Sequence, residues 1–223
     1  MNAGQLLAEQ FPALSALPNV VHGFTLRVAD IEMSHDKLEA LARLDGVHRE
    51  IRGAHGLGRA PFITAEQVHG ESIGVGHEAI TVDKCFESCD GLITNQRGVC
   101  LGIYVADCCA VYLVDPVRSA IGLVHSGKKG TELGVVANAI KSMAEHFGSR
   151  ASEIVAQLSP CIRPPHYETD FAREIMRQCH DLGLTASSDC GVCTACDLDR
   201  YYSYRAEKGR TGRMLALLAL AQG

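Results

Sequence analysis

The sequence contains no tryptophan, and aromatic residues make up only 5% of its 223 residues. A core built from this chain must therefore be aliphatic. No apolar run approaches the roughly 18 residues needed to cross a membrane, and the N-terminal residues 1–5 lack a basic segment followed by an apolar stretch. These absences predict a cytoplasmic protein with no signal peptide and no membrane partner.

An excess of positive charge is also missing. Lys and Arg number 21 against 26 Asp and Glu, which gives a formal net charge of −5. The basic residues are scattered along the chain, so the sequence predicts no surface for nucleic acid. We expect a small-molecule substrate instead.

The chain has no internal repeat, no low-complexity tract and no linker rich in Pro, Gly or Ser. Its length suits one domain with a sizeable core. We therefore predict a single domain over residues 1–223, present as a monomer or a small homo-oligomer.

Short runs of β-branched and aliphatic residues alternate with segments of helical periodicity. The run over residues 214–220 fits a strand or a helix equally well. Strict βαβ alternation is absent, which favours the α/β (α+β) class with a mixed central sheet, or two stacked sheets, and helices packed outside. The predicted helices cover residues 36–52, 131–147 and 170–182, and the predicted strands cover residues 20–26, 62–69, 91–94, 100–105, 111–114, 120–125 and 154–158.

Ten cysteines are many for such a chain. Without a signal peptide they should be reduced thiols, most of them buried as small hydrophobic residues. Cys190, Cys193 and Cys196 form two overlapping CxxC pairs, which can bind zinc or an iron–sulfur cluster. A four-thiolate site would need another cysteine, such as Cys161 or Cys179. We expect free thiols without metal in this loop.

Three residues, His69, Cys108 and His125, each end a predicted apolar strand that is followed by a turn. Alone, each histidine would be a hydrogen-bonded structural residue and the cysteine a buried, inert one. Together they form a ligand set for Zn²⁺ with an open fourth position, and the same donors also suit copper. Cys108 with a histidine could instead act as nucleophile and base. Spacing leaves these alternatives open.

Two neighbouring features extend this candidate site. Asp107 precedes Cys108 at a strand end, where a carboxylate needs a partner such as a turn amide, a cation or a histidine. Residues 125–130 form a glycine-flanked turn with two lysines before a predicted helix. Lys129 and the backbone amides of residues 127–130 could bind an anion such as phosphate. The alternative for this turn is an ordinary solvated loop.

The order and spacing of several motifs resemble the laccase-domain proteins, a family formerly called multicopper polyphenol oxidases and later purine nucleoside phosphorylases, with some members named peptidoglycan editing factors. The matching segments are residues 67–70, 90–94, 106–108, 121–127, 159–162, 167–168, 193–194, 203–205 and 211–213. The resemblance implies a fold similar to the cytotoxic necrotizing factor deamidase domain. It also makes residues 214–220 a strand.

The resemblance implies a metal site, with Zn²⁺ as the expected ion and copper as the alternative. It assigns the metal ligands to His69, Cys108 and His125. Catalytic roles fall on Cys108, His125 and Asp107, the last orienting a ligand or a substrate hydroxyl. Residues implied in substrate or phosphate binding are Lys129, Gly127, Arg27, Glu168 and Arg205.

The activity implied by this resemblance is phosphorolysis of adenosine, inosine or methylthioadenosine, together with deamination of adenosine. Two segments depart from the family pattern: Arg27 is followed by Val28-Ala29-Asp30 without the usual glycine-rich loop, and Lys128-Lys129 replace a Trp-Arg pair. Lysine keeps the positive charge but not the planar fork of arginine.

Two other functions remain open. A copper-dependent polyphenol oxidase would match the older family name, yet multicopper oxidation needs many histidine ligands in pairs, and no His-x-His motif occurs here. The altered loops would also fit a binding protein without catalysis, or a peptidoglycan-precursor editing protein that keeps the fold. Release of a free purine base would distinguish the enzyme from both.

Overall fold

A computed structural model describes residues 8–77 and 79–222 of the chain. Residues 1–5, on which the signal-peptide prediction depends, lie outside this range. None of the described helices is long and apolar enough to cross a membrane. The strands are β1 (Ala8–Glu9), β2 (Val20–Thr25), β3 (Phe62–Ala65), β4 (Ile73–Gly76), β5 (Lys84–Phe86), β6 (Gly91–Thr94), β7 (Cys100–Val105), β8 (Cys109–Asp115), β9 (Ala120–Ser126), β10 (Val155–Leu158), β11 (Ala186–Asp189) and β12 (Met214–Leu220), and the α-helices are α1 (Pro12–Ser15), α2 (Lys37–Ala54), α3 (Lys128–Glu132), α4 (Val135–Phe147) and α5 (Phe171–Asp181).

These strands form two six-stranded sheets within the described residues. The first has the order β1-β2-β12-β7-β3-β5 and the second β11-β10-β8-β9-β6-β4. Both sheets are mixed: β3 runs parallel to β5 and β7, whereas β12 runs antiparallel to β2 and β7. In the second sheet β8 and β9 are antiparallel, and β4 and β6 are parallel. The predicted α/β class with two stacked sheets is confirmed.

The main core lies between the two sheets, where Phe24 and Ile103 of the first meet Tyr112 and Leu123 of the second. Helix α2 covers the outer face of the first sheet through Ile51. Helices α4 and α5 cover the outer face of the second sheet. The result is a four-layer arrangement of helix, sheet, sheet and helix.

Strand β12 is buried along its whole length. Strands that are buried on both faces lose the alternation of apolar and polar residues, which explains why its sequence fits a helix equally well. The strand implied by the family resemblance is confirmed.

Two predicted helix starts coincide with side-chain caps. Asp36 accepts a hydrogen bond from the Glu39 amide at 2.8 Å at the start of α2. Asp170 accepts one from the Arg173 amide at 3.0 Å at the start of α5. An aspartate at this position satisfies an amide that has no partner within the helix.

Two predicted boundaries are wrong in a way that affects the site. The single helix predicted over residues 131–147 is divided into α3 and α4 at Gly134, whose φ of 77° is left-handed and favours glycine. The strand predicted over residues 62–69 ends at Ala65. His69 therefore lies in a turn, with φ 59°.

The short strands β4, β5 and β11 were not predicted from the sequence. Strand β4 reads Ile-Gly-Val-Gly and β11 reads Ala-Ser-Ser-Asp. Glycine and aspartate are depleted in strands, so these segments pair because of the sheets beside them rather than because of their own residues.

Candidate metal centre and active site

Three side chains predicted as metal ligands come together where the two sheets meet. Cys108 lies in the connection from β7 of the first sheet to β8 of the second, and His125 lies near the end of β9. One ligand atom from each of His69, Cys108 and His125 lies within 4.8 Å of the other two. The two imidazole rings have centroids 4.8 Å apart and are nearly perpendicular.

This donor set fits a metal ion. Two imidazoles and one thiolate are ligands that Zn²⁺ uses in tetrahedral sites, at about 2.0–2.3 Å from the ion. Atoms bound to one such ion lie about 3.3–3.8 Å apart, so the observed spacing requires at most small side-chain movements. His69, Cys108 and His125 would hold the ion, and all three residues line the adjoining cavity.

Asp90, which is completely buried, connects both histidines. Its carboxylate accepts a hydrogen bond from His125 Nδ1 at 2.8 Å. It also accepts the amides of Val68, His69 and Gly70, at 3.2, 2.9 and 2.6 Å. A single carboxylate thus orients the His125 ring and fixes the turn that carries His69, as carboxylates beside metal-bound histidines commonly do.

The charge of Asp90 is stabilised by these donors. Burial acts to raise the pKa of its carboxyl, but the hydrogen bonds from His125 and from the backbone outweigh burial and hold the pKa below its ordinary value. The sequence offered one signal for this residue, a carboxylate directly before the buried strand β6. Asp90 belongs to the family motif at residues 90–94, but the resemblance implies no role for it.

The Cys108 thiol and the His125 imidazole stabilise each other's charged forms. Burial acts to raise the pKa of the Cys108 thiol, but the charge and hydrogen bonds of His125 and His69 lower it to about 6. Burial acts to lower the pKa of His125, but Cys108 and Asp90 raise it to about 9. At neutral pH the pair is a thiolate and an imidazolium, which can bind a metal after losing one proton or act as a nucleophile and an acid.

This ion pair predicts how metal binding depends on pH. Between pH 6 and 9 the ion must displace one proton from His125, so the apparent affinity should fall about tenfold for each unit of decreasing pH. Below pH 6 the Cys108 thiol also takes up a proton, and the slope should become steeper. Zinc titration of metal-stripped protein in weak buffer measures the protons released. If Cys108→Ser released the same number of protons on zinc binding, the assignment of Cys108 as a ligand would be contradicted.

Gly127 allows the thiol to reach its position. A Cβ atom at this residue would lie 2.5 Å from Cys108 Sγ, a distance that real contacts do not allow. Gly127 was predicted to bind phosphate, and the structure gives it a packing role. Its neighbour Cys108 needs this space to face the two histidines.

Replacing Gly127 with alanine should displace the Cys108 thiol and weaken zinc binding at least tenfold, about 1.4 kcal/mol. Equilibrium dialysis against labelled zinc measures this change. Gly46→Ala in α2 is a matched control, because a Cβ there meets no described atom within 4 Å. Equal zinc affinity in Gly127→Ala and Gly46→Ala would show that the close contact does not matter.

A cavity of about 570 Å³ opens beside the three ligands. This volume is typical of sites for small molecules. Among the described residues that line the cavity, Asp107 supplies the single carboxylate, and four side chains besides His125 supply cations. The cationic side chains are Lys37, Lys128, Arg205 and Arg213, and the aromatic ones are Tyr104, Tyr167, Phe171 and Tyr204.

The cationic character was only partly predictable. Arg205 was predicted and lines the cavity, with its guanidinium 4.7 Å from the centre of the Tyr167 ring. Lys37 and Arg213 were not predicted, because they begin a helix and precede a strand far apart in the chain. Burial and the nearby Arg213 lower the pKa of Lys37, and burial lowers the pKa of Arg213. A bound anion would relieve this mutual repulsion.

The two lysines of the turn after His125 differ in position. Lys128 lines the cavity, whereas Lys129, the residue predicted to bind phosphate, is exposed in the first turn of α3. Lys128 Nζ lies 4.0 Å from Glu168. Glu168 also pairs with Arg205 at 3.3 Å, so this carboxylate lies next to the cations at the edge of the cavity.

Arg27 does not line the cavity. Its guanidinium pairs with Glu207 at 2.8 Å and lies 4.9 Å from the centre of the Tyr202 ring. It also donates to the Tyr201 carbonyl at 3.4 Å. These contacts give Arg27 partners within the protein and connect β2 to the segment before β12.

The carboxylate of Asp107 accepts hydrogen bonds from two groups of the protein. Its carboxylate accepts the Thr194 hydroxyl at 2.8 Å and the Arg205 amide at 2.7 Å. Its φ of 82° is left-handed, a conformation that few residues other than glycine adopt. The predicted catalytic aspartate therefore fixes two loops around the cavity beside Cys108.

The fold and the ligand set define an α/β protein with a candidate metal centre that opens into a cationic cavity. The chain belongs to the family described as multi-copper polyphenol oxidoreductase laccase, whose model matches residues 33–177 and 166–221. This match confirms the resemblance noted in the sequence.

Relatives and solved structures agree with this family. The chain is 30% identical to a purine nucleoside phosphorylase of Corynebacterium glutamicum, over 74% of this chain and 76% of the relative. It is 26% identical to purine nucleoside phosphorylase YlmD of Bacillus subtilis, over 72% and 71%. The crystal structure of YlmD from Geobacillus stearothermophilus has the same fold, with a TM-score of 0.86 at 21% identity, over 97% of this chain and 99% of that one.

Proposed function

We propose that this protein is a zinc-dependent enzyme that cleaves purine nucleosides with phosphate. The observation that carries the proposal is the position of the His69, Cys108 and His125 ligands at a cavity with cationic and aromatic walls. The names of the relatives, purine nucleoside phosphorylases, support the same reaction. The proposed substrates are adenosine, inosine and methylthioadenosine.

In this reaction a phosphate oxygen forms a bond to the anomeric carbon of the sugar. The glycosidic bond breaks, the purine leaves with a proton, and a sugar 1-phosphate remains. Lys128 and Arg205 would hold the phosphate, since both cations line the cavity. The aromatic rings of Tyr167 and Phe171, whose centroids lie 5.8 Å apart, offer a surface for the base.

A bound Zn²⁺ would supply a Lewis acid and lower the pKa of a water at its fourth position, as deamination of adenosine requires. The chain contributes the geometry through Asp90, which fixes both histidines. Deamination is therefore a second proposed activity of the same site. It needs no phosphate, so Lys128 should matter much less for it.

Lys128→Ala should weaken phosphate-dependent cleavage by about 10–100-fold, or roughly 1.4–2.8 kcal/mol of transition-state stabilisation. Lys129→Ala serves as the matched control, because Lys129 is exposed and does not line the cavity. Inosine cleavage at varied phosphate concentration measures the change. If both variants lost the same amount of activity, or if only Lys129→Ala lost activity, Lys129 would bind phosphate as the sequence predicted.

The alternatives predict different products. A copper-dependent polyphenol oxidase would oxidise phenols and release no purine base. A binding or peptidoglycan-precursor editing protein would retain the metal ligands without nucleoside turnover. Metal analysis of untagged protein, together with a nucleoside panel with and without phosphate, separates these three functions.

A further inference from the structure

A second cluster of metal-binding side chains joins His166 to two cysteines of the loop over residues 190–196, the cysteine-rich loop. His166 Nδ1 lies 3.6 Å from Cys193 Sγ and 3.4 Å from Cys196 Sγ. The three ligand atoms all lie within 4.8 Å of one another. This cluster shares no residue with the first centre.

The distances match those of a tetrahedral zinc site. With Zn–S bonds of about 2.3 Å and Zn–N bonds of about 2.0–2.1 Å, a nitrogen and a sulfur bound to the same ion lie about 3.5–3.6 Å apart. The spacing of Cys193 and Cys196 is that of the CxxC pairs in structural zinc sites. We propose that His166, Cys193 and Cys196 form a second zinc site whose fourth ligand is a water molecule.

The backbone around the cluster already holds the ligands together. The Thr194 amide donates to the Cys161 carbonyl at 3.2 Å, and the Cys161 amide donates to the Val192 carbonyl at 3.2 Å. Arg163 connects the same two segments, since its guanidinium pairs with Asp189 at 2.5 and 2.9 Å. These contacts hold the two segments that carry the ligands next to each other.

The sequence predicted free thiols in this loop, since a four-thiolate site would also have needed Cys161 or Cys179. The structure supplies a histidine instead, 27 residues before Cys193 in the chain. Cys190, the third cysteine of the loop, is not part of the cluster in the described residues. This difference makes Cys190 a matched control for Cys196.

The second site lies directly behind the wall of the cavity. Thr194, between the two cysteines, donates its hydroxyl to Asp107 at 2.8 Å, and Asp107 precedes Cys108. Tyr167, which follows His166, lines the cavity. An ion bound here would link the segment of His166 and Tyr167 to the segment of residues 193–196 and so stabilise the wall of the cavity. Its role is positioning, not catalytic.

Zinc stoichiometry of the full chain tests this proposal without reference to the enzymatic activity. Metal-stripped, reduced protein is loaded with zinc, dialysed and analysed by mass spectrometry. We expect two zinc ions per chain in the natural protein and in Cys190→Ser, one in Cys196→Ser, one in Cys108→Ser, and none in the double variant Cys108→Ser/Cys196→Ser. One zinc in the natural protein that disappears in Cys108→Ser would overturn the proposal.

Cys196 and His166 are exposed, so their replacement should leave the fold intact, as circular dichroism would verify. His166→Ala provides a second variant and should also bind one zinc. Cobalt gives an independent readout, because each thiolate adds intensity to the sulfur-to-cobalt charge-transfer absorption. Cys196→Ser and His166→Ala should lower this absorption, whereas Cys190→Ser should not. Two zinc ions retained in both Cys196→Ser and His166→Ala would contradict the assigned ligands.

Discussion

Cys108→Ala is expected to lose the ion from the first centre and to lose nucleoside cleavage completely. Cys108 is the one thiolate of that centre, and the two remaining imidazoles would bind zinc far more weakly. Loss of a partner outside the ligand sphere already costs about 10–100-fold in metal affinity, so loss of a ligand should exceed that range. Zinc analysis and inosine cleavage are measured on the same preparation.

Cys85→Ala is the control for this experiment, because Cys85 is exposed and belongs to neither cluster. It should retain zinc and activity. Full zinc binding together with lost activity in Cys108→Ala would favour the alternative in which Cys108 is the nucleophile and His125 its base. Retained zinc and retained activity would remove Cys108 from the site.

Asp90→Asn should destabilise the metal-free protein by about 3–5 kcal/mol, the usual cost of breaking a buried ion pair by changing one partner. The amide keeps the size of the carboxylate but loses the charge opposite His125. It also cannot accept all the donors that the carboxylate binds. Zinc affinity should fall about 10–100-fold. Urea unfolding and zinc titration measure the two effects.

Asp83→Asn is a matched control, because exposed Asp83 also accepts a backbone amide, that of Phe62 at 2.7 Å. Its replacement should cost little. The stabilisation of the fold by Asp90 should also depend on pH. Because its pKa is held below the ordinary value, this stabilisation is present above the ordinary carboxyl pKa and is lost as the pH falls through the lowered one. Equal unfolding free energies in Asp90→Asn and Asp83→Asn would contradict the role of Asp90.

The sequence predicted the centre of the fold because its strands are uniformly apolar. Strands β7, β8 and β9 are almost entirely buried, and turns mark their ends. The candidate ligands Cys108 and His125 could be located because they lie at those ends. Strands β4 and β11 could not be predicted, since their pairing depends on neighbours that are distant in the chain.

The rest of the site depends on contacts between distant segments. Asp90 and His125 are 35 residues apart, and Thr194 and Asp107 are 87 residues apart. No local pattern predicts such pairs. The same reason explains why Lys37 and Arg213 were missed in the cavity. It also explains why His166 was not recognised as a partner of the cysteine-rich loop.

Release of purine base from inosine tests the proposed function most directly. We predict that zinc-loaded protein releases hypoxanthine only when phosphate is present, with one sugar 1-phosphate formed for each base. Metal-stripped protein should release none, and zinc should restore the activity. Zinc-loaded protein that binds the ion at the first centre but releases no base with phosphate, from inosine, adenosine or methylthioadenosine, would contradict the proposal.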